Sequence, residues 1–262
     1  MTTPAAAPMD VRLMQAATTA LLAVGVLLCA AAGLWWAVRL PLFKLQAITV
    51  EGEVTRNNAF TLKANVLPQL QGNFFTLRLD VAKQAFEAVP WVRSVVVHRE
   101  FPNRLRVDMR EHQALALWGD EGGSLMLNQQ GQVFEANIDE AETENMPRLK
   151  GVPSQSQEVL AMYRFLRPML QGLDMDIDEL ELSPRGSWRL RTDRGAVIEL
   201  GRGTASEVGE QLQLFLRTLS QVTARYGRTP RSLAGADLRH KDGYALRLQG
   251  VTTLETDPRK KP

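Results

Sequence analysis

The sequence offers little material for covalent, redox or metal chemistry. Among its 262 residues it has one cysteine, Cys29, and only three histidines. A single cysteine cannot form a disulfide within the chain, so its folded parts must rely on ordinary hydrophobic cores. The histidines, His98, His112 and His240, are isolated and lack the spacing to cysteine or glutamate that a metal site needs. We therefore expect no thiol chemistry and no bound metal, and we expect His98 at an exposed position of a strand.

Other signatures of an active site are also missing. The segment Gly201-Arg202-Gly203 is not followed by the Gly-Lys-Ser/Thr of a phosphate-binding loop. Neither Ser124 nor Ser187 lies in a Gly-x-Ser-x-Gly turn, and the acidic run 139–144 lacks the glycine and spacing of a calcium loop. Basic and acidic residues nearly balance, 31 against 29, so nothing indicates the concentrated basic patch of a nucleic-acid-binding protein. The sequence predicts no enzyme, no cofactor and no small-molecule substrate.

Charge is absent from one long segment, which predicts a membrane span. No residue of 13–38 is charged, whereas Arg12 and Arg39 flank the segment. About 20 apolar residues cross a hydrocarbon core roughly 30 Å thick, and indole rings such as those of Trp35 and Trp36 favour its interface with water. The alternative is a cleaved signal peptide, with Ala30-Ala31-Ala32 as the cleavage site. Its apolar core would be only about 7–15 residues long, so a retained anchor is favoured.

The charges on either side of the span barely indicate its orientation. Arg12 precedes the span, and Arg39 and Lys44 follow it, so the positive-inside rule gives almost no preference for either orientation. A short tail before one span and a large polar part after it nevertheless favour a cytoplasmic N-terminus and a periplasmic remainder. We therefore expect a cytoplasmic tail at 1–12, a transmembrane helix at 13–38 and a flexible tail at 251–262.

A first folded domain is predicted at 43–111, with the order β-α-α-β-β. Residues 45–51 alternate apolar and polar, as a half-buried strand does, and Gly52 ends them. Two helical patterns follow, the second ending before Pro90. Two further strand patterns, 91–99 and 104–110, are joined by the turn Phe101-Pro102-Asn103.

Three segments of this domain form a motif. They are Val50-Glu51-Gly52, then Pro90-Trp91-Val92, then Phe101-Pro102-Asn103-Arg104-Leu105-Arg106-Val107. In this order and spacing they resemble the polypeptide-transport-associated (POTRA) family. From the alternation within the strands we expect a set of apolar side chains to face the helix that carries Phe86 and Val89. The set is Val95, Val97, Leu105 and Val107.

A second domain is predicted at 112–250. Short strand patterns separated by polar turns indicate a β-rich domain with an antiparallel sheet. Two helical patterns interrupt the strands, one from about 154 to 171 and one beginning at Thr204. Thr204 and Glu207 have the spacing of a capping box. With the span and the first domain, the fold class is α+β.

Three segments of the second domain form a further motif. They are Leu182-Ser183-Pro184-Arg185-Gly186-Ser187-Trp188, then Glu199-Leu200-Gly201-Arg202, then Asp237-Leu238-Arg239-His240, in that order after a POTRA domain. With this motif the whole chain resembles the FtsQ/DivIB family of bacterial cell-division proteins. The resemblance implies a non-enzymatic, single-pass inner-membrane scaffold at the division septum, which binds FtsB- and FtsL-type proteins and links early and late division proteins. The chain departs from the family's usual proline at Ala114, its usual tyrosine at His240, and a tryptophan of some members at Leu248.

Two other classes of protein are less well supported. POTRA domains also occur in secretion and outer-membrane assembly proteins, but those predict tandem POTRA units or a barrel of repeated amphipathic strands. A membrane-tethered cell-wall hydrolase would need paired carboxylates or a metal set in a cleft. The sequence shows neither pattern.

The last predicted strand, 244–248, is the candidate partner-binding site. No later strand follows to cover it, so its free edge offers backbone groups to a strand of a partner. Tyr244, Leu246 and Leu248 share one face, and Ala245 and Arg247 share the other. The resemblance implies that an FtsB-like partner pairs here. It adds the turn residues His240, Asp242 and Gly243, and more weakly Arg185 from a neighbouring turn. A competing interpretation is that Tyr244, Leu246 and Leu248 only face the domain's own core.

Overall fold

The computed structural model describes residues 9–137, 140–240 and 243–252. The chain divides into two compact units, and the division falls between Glu111 and His112. The first unit contains the apolar segment and the first folded domain, and the second contains the remaining strands and helices.

A single long helix, α1 (Met9–Val38), opens the first unit. The most apolar stretch of its segment Leu13–Val38 has a mean hydropathy of 2.2, and none of that stretch is buried within the protein. Side chains such as Leu21 and Leu27 are therefore about 70% exposed, at 72% and 69%. A helix of this length with apolar side chains all round suits a hydrocarbon environment. Among the described residues this is the one helix long and apolar enough to cross a membrane.

The rest of the first unit confirms the predicted β-α-α-β-β order. Its elements are β1 (Ala47–Gly52), α2 (Ala59–Val66), α3 (Leu79–Glu87), β2 (Val92–Glu100) and β3 (Arg104–Glu111). The sheet has the strand order β1-β3-β2, in which β1 runs parallel and β2 antiparallel to β3.

The core of this domain lies between the sheet and the two helices. Leu105 and Val107 are fully buried, and Val95 is 1% exposed. Val95 and Val107 pack with Phe86 and Val89, as the alternation predicted. Val97 is only half-buried and packs at the margin of the core. His98 is exposed on β2, an edge strand, which confirms its predicted position.

A buried carboxylate closes the end of this domain. Glu111, the last residue of β3, accepts hydrogen bonds from the backbone N–H groups of Thr55, Arg56 and Asn57 at 2.8, 2.9 and 2.9 Å. The Thr55 hydroxyl and the Asn57 side-chain amide also donate to it, at 2.9 and 3.0 Å. Burial disfavours the charged form, but these hydrogen bonds together outweigh it and lower the pKa of Glu111. The segment after β1 is thereby tied to the end of β3.

The second unit is built on one nine-stranded sheet. Its strands are β4 (Ala114–Trp118), β5 (Leu125–Asn128), β6 (Val133–Glu135), β7 (Arg148–Lys150), β8 (Ile177–Leu182), β9 (Trp188–Thr192), β10 (Val197–Gly201), β11 (Leu233–Asp237) and β12 (Ala245–Leu248). Its helices are a single turn, α4 (Glu140–Thr143), and two long helices, α5 (Ser156–Gln171) and α6 (Ala205–Arg225). The strand order is β12-β11-β10-β9-β8-β7-β4-β5-β6.

The sheet is mixed, which corrects the predicted antiparallel sheet. Three neighbouring pairs are parallel, namely β4 with β7, β7 with β8, and β10 with β11. The last two follow from the long helices, because α5 connects β7 to β8 and α6 connects β10 to β11. A helix that returns the chain to the starting end of the sheet makes the next strand parallel to the one before it.

Both long helices bury one stripe against the sheet. In α5 the residues buried in this stripe include Val159, Met162, Tyr163, Leu166 and Leu170. Pro168 lies inside α5, and the helix nevertheless continues to Gln171. The predicted capping box at the start of α6 is present, since Thr204 accepts from the Glu207 N–H and the Glu207 carboxylate accepts from the Thr204 N–H.

Candidate partner-binding edge

Strand β12 lies at one end of the nine-stranded sheet, so one of its two edges is unpaired within the described residues. It pairs antiparallel with β11, and the register joins Asp237 to Ala245, Ala236 to Leu246 and Gly235 to Arg247. A bulge follows at Ala234, where the register shifts between Leu233 and Gly235.

Backbone alternation indicates which groups of β12 are free. The Leu238 N–H donates to Glu199 O of β10 at 2.8 Å, so the preceding Asp237 points its backbone towards β12 and its partner Ala245. The Gln249 N–H donates to Ser232 O at 2.8 Å, so Gln249, just past the other end of β12, also points its backbone towards the side of β11. Alternation back from Gln249 therefore gives the same result as alternation forward from Ala245. The N–H and C=O groups of Leu246 and Leu248 therefore point away from β11, to the open edge. Those of Ala245 and Arg247 point inwards.

The side chains of Tyr244, Leu246 and Leu248 face the domain's own core. Leu248 is 5% exposed, and Tyr244 and Leu246 are half-buried against the same core. The Tyr244 ring meets Phe215 of α6 edge-on, with ring centroids 4.9 Å apart, and its hydroxyl lies 2.6 Å from the Thr218 hydroxyl. These three side chains hold β12 on the sheet, and the outward-facing side chains are Ala245 and Arg247, both exposed.

The turn between β11 and β12 is only partly described. His240 and Gly243 are exposed, whereas Asp242 lies outside the described residues. An added Cβ at Gly243 would meet no atom within 4 Å, so no close approach requires glycine there.

Arg185 lies at the same end of the sheet, in the turn between β8 and β9. It lines an open groove of about 550 Å³ together with two arginines that are not among the predicted site residues, Arg202 after β10 and Arg239 after β11. All three side chains belong to exposed residues. The remaining lining residues are polar or part of β10 and its turn: Ser183, Ser187, Leu200, Gly201 and Gln211. The groove is therefore a basic surface beside the start of β12.

One of the three arginines is already paired. Arg239 donates to both carboxylate oxygens of Asp237, at 2.9 and 2.6 Å, and its backbone N–H donates to the same carboxylate at 3.0 Å. The Arg239 guanidinium is the main reason why the pKa of Asp237 falls to about 2, and His240 adds a smaller lowering. Asp237 is thus ionised at neutral pH and fixes Arg239 at the groove. Arg185 and Arg202 have no hydrogen bond or ion pair within the described part of the chain.

The described residues contain no group of three or more His, Cys, Asp or Glu side chains that could hold a metal ion. The arrangement at β12 offers a backbone edge and a basic surface, and these are means of binding rather than of catalysis.

Comparison with known proteins agrees with both parts of the fold. Residues 43–112 match the family model for the FtsQ-type POTRA domain, and residues 116–239 match the model for the C-terminal region of the cell division protein FtsQ/DivIB. The second match ends at Arg239, so the candidate residues from His240 to Leu248 lie beyond it.

Relatives align over nearly the whole chain. The cell division protein FtsQ of Thiomonas arsenitoxydans is 36% identical over 250 residues, which cover 95% of this chain and 91% of the relative. FtsQ of Burkholderia pseudomallei is 36% identical over 254 residues, covering 96% and 99%. FtsQ of Neisseria meningitidis serogroup B is 27% identical over 234 residues, covering 89% and 94%. The chain therefore belongs to the FtsQ/DivIB family of cell-division proteins.

Proposed function

We propose that this protein is a non-enzymatic, single-pass scaffold of the bacterial division machinery. Its span Leu13–Val38 anchors it in the inner membrane, with the N-terminus in the cytoplasm and both folded domains in the periplasm. It acts at the septum by binding FtsB- and FtsL-type proteins and by linking early and late division proteins. Membership of the FtsQ/DivIB family supports this role over the secretion alternative, since the one POTRA match is of the FtsQ type.

The observation that carries the proposal is the open edge of β12. A strand of the partner pairs with it through the outward N–H and C=O groups of Leu246 and Leu248. Backbone hydrogen bonds supply the attachment, while Ala245 and Arg247, exposed beside the new strand, supply selectivity. Tyr244, Leu246 and Leu248 contribute indirectly, because their contacts with the core hold β12 in place.

The basic groove extends the proposed site beyond the strand. Neighbouring strands lie about 4.8 Å apart, so a partner strand paired with β12 is about four spacings, roughly 19 Å, from β9. About six extended residues of the partner cover that distance. A segment that continues from the paired strand across this end of the sheet passes His240, Arg239 and Arg185. The charge of the groove favours acidic side chains in that segment.

A proline scan with a side-chain control tests the strand addition. Leu246→Pro removes an outward-facing amide and also the leucine side chain, whereas Leu246→Ala removes the side chain and keeps the amide. We expect the full-length membrane protein with Leu246→Pro to lose capture of the FtsB–FtsL-type pair from the same bacterium, and Leu246→Ala to lose only part of it, because Tyr244 and Leu248 still hold β12 on the sheet. Equal binding by Leu246→Pro and the parent would place the interface elsewhere. Circular dichroism and protease resistance check that the domain stays folded.

Charge reversal tests the groove separately. Arg185→Glu leaves the strand edge intact, so we expect weaker capture of the pair and a smaller dependence of binding on salt. Arg225→Glu is the matched control, since Arg225 is exposed in the last turn of α6, at the opposite end of the sheet, and its side chain has no hydrogen bond or ion pair among the described residues. If both reversals weaken binding equally, the effect is one of net charge and the groove is not a contact.

A further inference from the structure

Several apolar side chains are exposed at the end of the first unit where α1 stops. Leu42, Phe75 and Phe101 are 68%, 47% and 73% exposed. Phe75 is in ring contact with Phe43 and with Phe74, at centroid distances of 4.8 and 5.2 Å, and Phe74 lies 6.0 Å from Phe101. We call these five residues, 42, 43, 74, 75 and 101, the aromatic base.

Hydrogen bonds hold the aromatic base against the end of the span. The Asn73 side-chain amide donates to the carbonyl of Val38, the last residue of α1, at 2.8 Å. The Phe74 N–H donates to Phe43 O at 2.9 Å, and the Asn103 side-chain amide donates to Leu42 O at 3.3 Å. The two loops that carry Phe75 and Phe101 are therefore fixed beside the residues that leave the helix.

The surroundings of the aromatic base match the boundary of a bilayer. Trp35 and Trp36 are 60% and 66% exposed in the last turn of α1, and the Arg39 guanidinium lies 3.8 Å from the centroid of the Trp35 ring. Lys44 and Arg104 are exposed next to the base in the chain, as is one carboxylate, that of Glu100. Aromatic rings flanked by basic side chains are typical of the interface between hydrocarbon and headgroups.

We propose that the aromatic base lies in the headgroup layer of the bilayer, on the side of the folded domains. The first domain then rests on the membrane surface and does not stand away from it.

Only residues 39–42 separate Val38 from Phe43, a reach of at most about 18 Å, and Asn73 touches Val38 itself. Interfacial segments bury their apolar face about 5–10 Å into the boundary, which is within that reach. An exposed apolar patch can also mark a protein contact, but this one is continuous with the span. The inference rests on the proposed membrane anchoring of α1.

Depth-dependent quenching tests the inference on the full chain. Three single-cysteine proteins carry an environment-sensitive fluorophore in lipid vesicles of phosphatidylethanolamine and phosphatidylglycerol: native Cys29 in the span, Cys29→Ser with Phe101→Cys, and Cys29→Ser with Phe60→Cys. Phe60 is the matched control, because it is 81% exposed and lies in the first turn of α2, beyond the far end of β1, about 17 Å of strand from the base. The quencher is a nitroxide on the lipid headgroup or, in separate vesicles, in the middle of the acyl chain.

We expect the headgroup nitroxide to remove most of the fluorescence at position 101, the acyl-chain nitroxide to remove most of it at Cys29, and neither to affect position 60. If position 101 is quenched no more than position 60 while Cys29 is quenched, the base is off the membrane and suits a protein partner, and the inference fails while the anchor stands. If Cys29 is not quenched either, the anchoring fails together with the inference.

Discussion

Replacing Glu111 by glutamine should destabilise the first domain and leave the second intact. Glutamine has nearly the same shape as glutamate, so the change removes the charge and one acceptor without opening a cavity. One carboxylate oxygen of Glu111 accepts from Thr55 and Arg56, and the other accepts from Asn57 through both its backbone and its side chain. A glutamine can accept on only one of these sides, and its NH₂ group must face donors on the other.

The size of the effect follows from that mismatch. If the glutamine oxygen faces Thr55 and Arg56, the two N–H donors of Asn57 lose their acceptor in a buried site, where Glu111 is 3% exposed. Each unsatisfied buried donor costs roughly 1–3 kcal/mol, and bonds to a charged group are stronger than those to a neutral one. We expect a loss of roughly 2–4 kcal/mol, which for a domain of this size lowers the melting temperature by on the order of 10–20 °C.

Hydrogen exchange resolves the two domains within the full chain. We expect faster exchange in peptides that cover β1 and β3 of Glu111→Gln, and unchanged exchange in β8 to β11. Glu100→Gln is the matched control, because Glu100 is exposed on the same sheet and its carboxylate has no hydrogen bond or ion pair among the described residues. Unchanged protection of β1 and β3 in Glu111→Gln would refute the reasoning.

The same variant predicts a pH dependence. Because the pKa of Glu111 is lowered in the folded state, its contribution is fully present above about 4.3, the pKa of an unfolded glutamate. The contribution is lost as the pH falls through the lower pKa of the folded state. The stability difference between the parent and Glu111→Gln should therefore be largest at neutral pH and shrink below about pH 4. A constant difference down to pH 3 would contradict this account.

Three further predictions concern packing and topology. Gly52→Ala should destabilise the first domain by roughly 2 kcal/mol or more, because φ is +112° and a Cβ would collide with the carbonyl of Met109; urea unfolding measures this. Val107→Asp buries a charge and should prevent folding of that domain, whereas Val97→Asp, at a half-buried position, should cost less, and equal losses of protease resistance would contradict the observed burial. Protease added to spheroplasts should digest both folded domains, and protection of the domains, or a mature N-terminus near Leu34, would contradict a retained anchor with periplasmic domains.

Patterns local to the chain predicted most of the fold. Alternation in 104–110 predicted strand β3, and Pro90 predicted where the preceding helix ends. The buried side chains of Leu105 and Val107 confirm which face of β3 was predicted to face the core. Alternation says which face of a strand is buried, but not which strand lies beside it. The strand-helix-strand order around α5 and α6 is a sequence signal for parallel pairs, whereas strand patterns taken alone do not carry it.

The same limit explains what was missed at the candidate site. The position of β12 at the edge of the sheet agrees with the prediction, because 244–248 is the last segment of the printed sequence with a strand pattern. The grouping of Arg185 with Arg202 and Arg239 was not predicted, since it requires β10 and β11 to end together, which is a consequence of their parallel pairing through α6. The spacing of these arginines in the sequence does not indicate that they lie close together, because the whole of α6 separates Arg202 from Arg239.

The burial of Tyr244, Leu246 and Leu248 changes how the proposed interface works. Side chains that face the core cannot discriminate between partners, but they fix the strand before a partner arrives. An edge held by the contacts of Tyr244 with Phe215 and Thr218 needs no ordering on binding, which lowers the entropic cost of strand addition. Tyr244→Ala should consequently weaken capture of the partner by loosening β12. In this variant the amides of β12 should exchange faster than in the parent, even without a partner. If Tyr244→Ala weakens capture with no change in exchange of β12, the tyrosine contacts the partner directly and this division between anchoring face and binding edge is wrong.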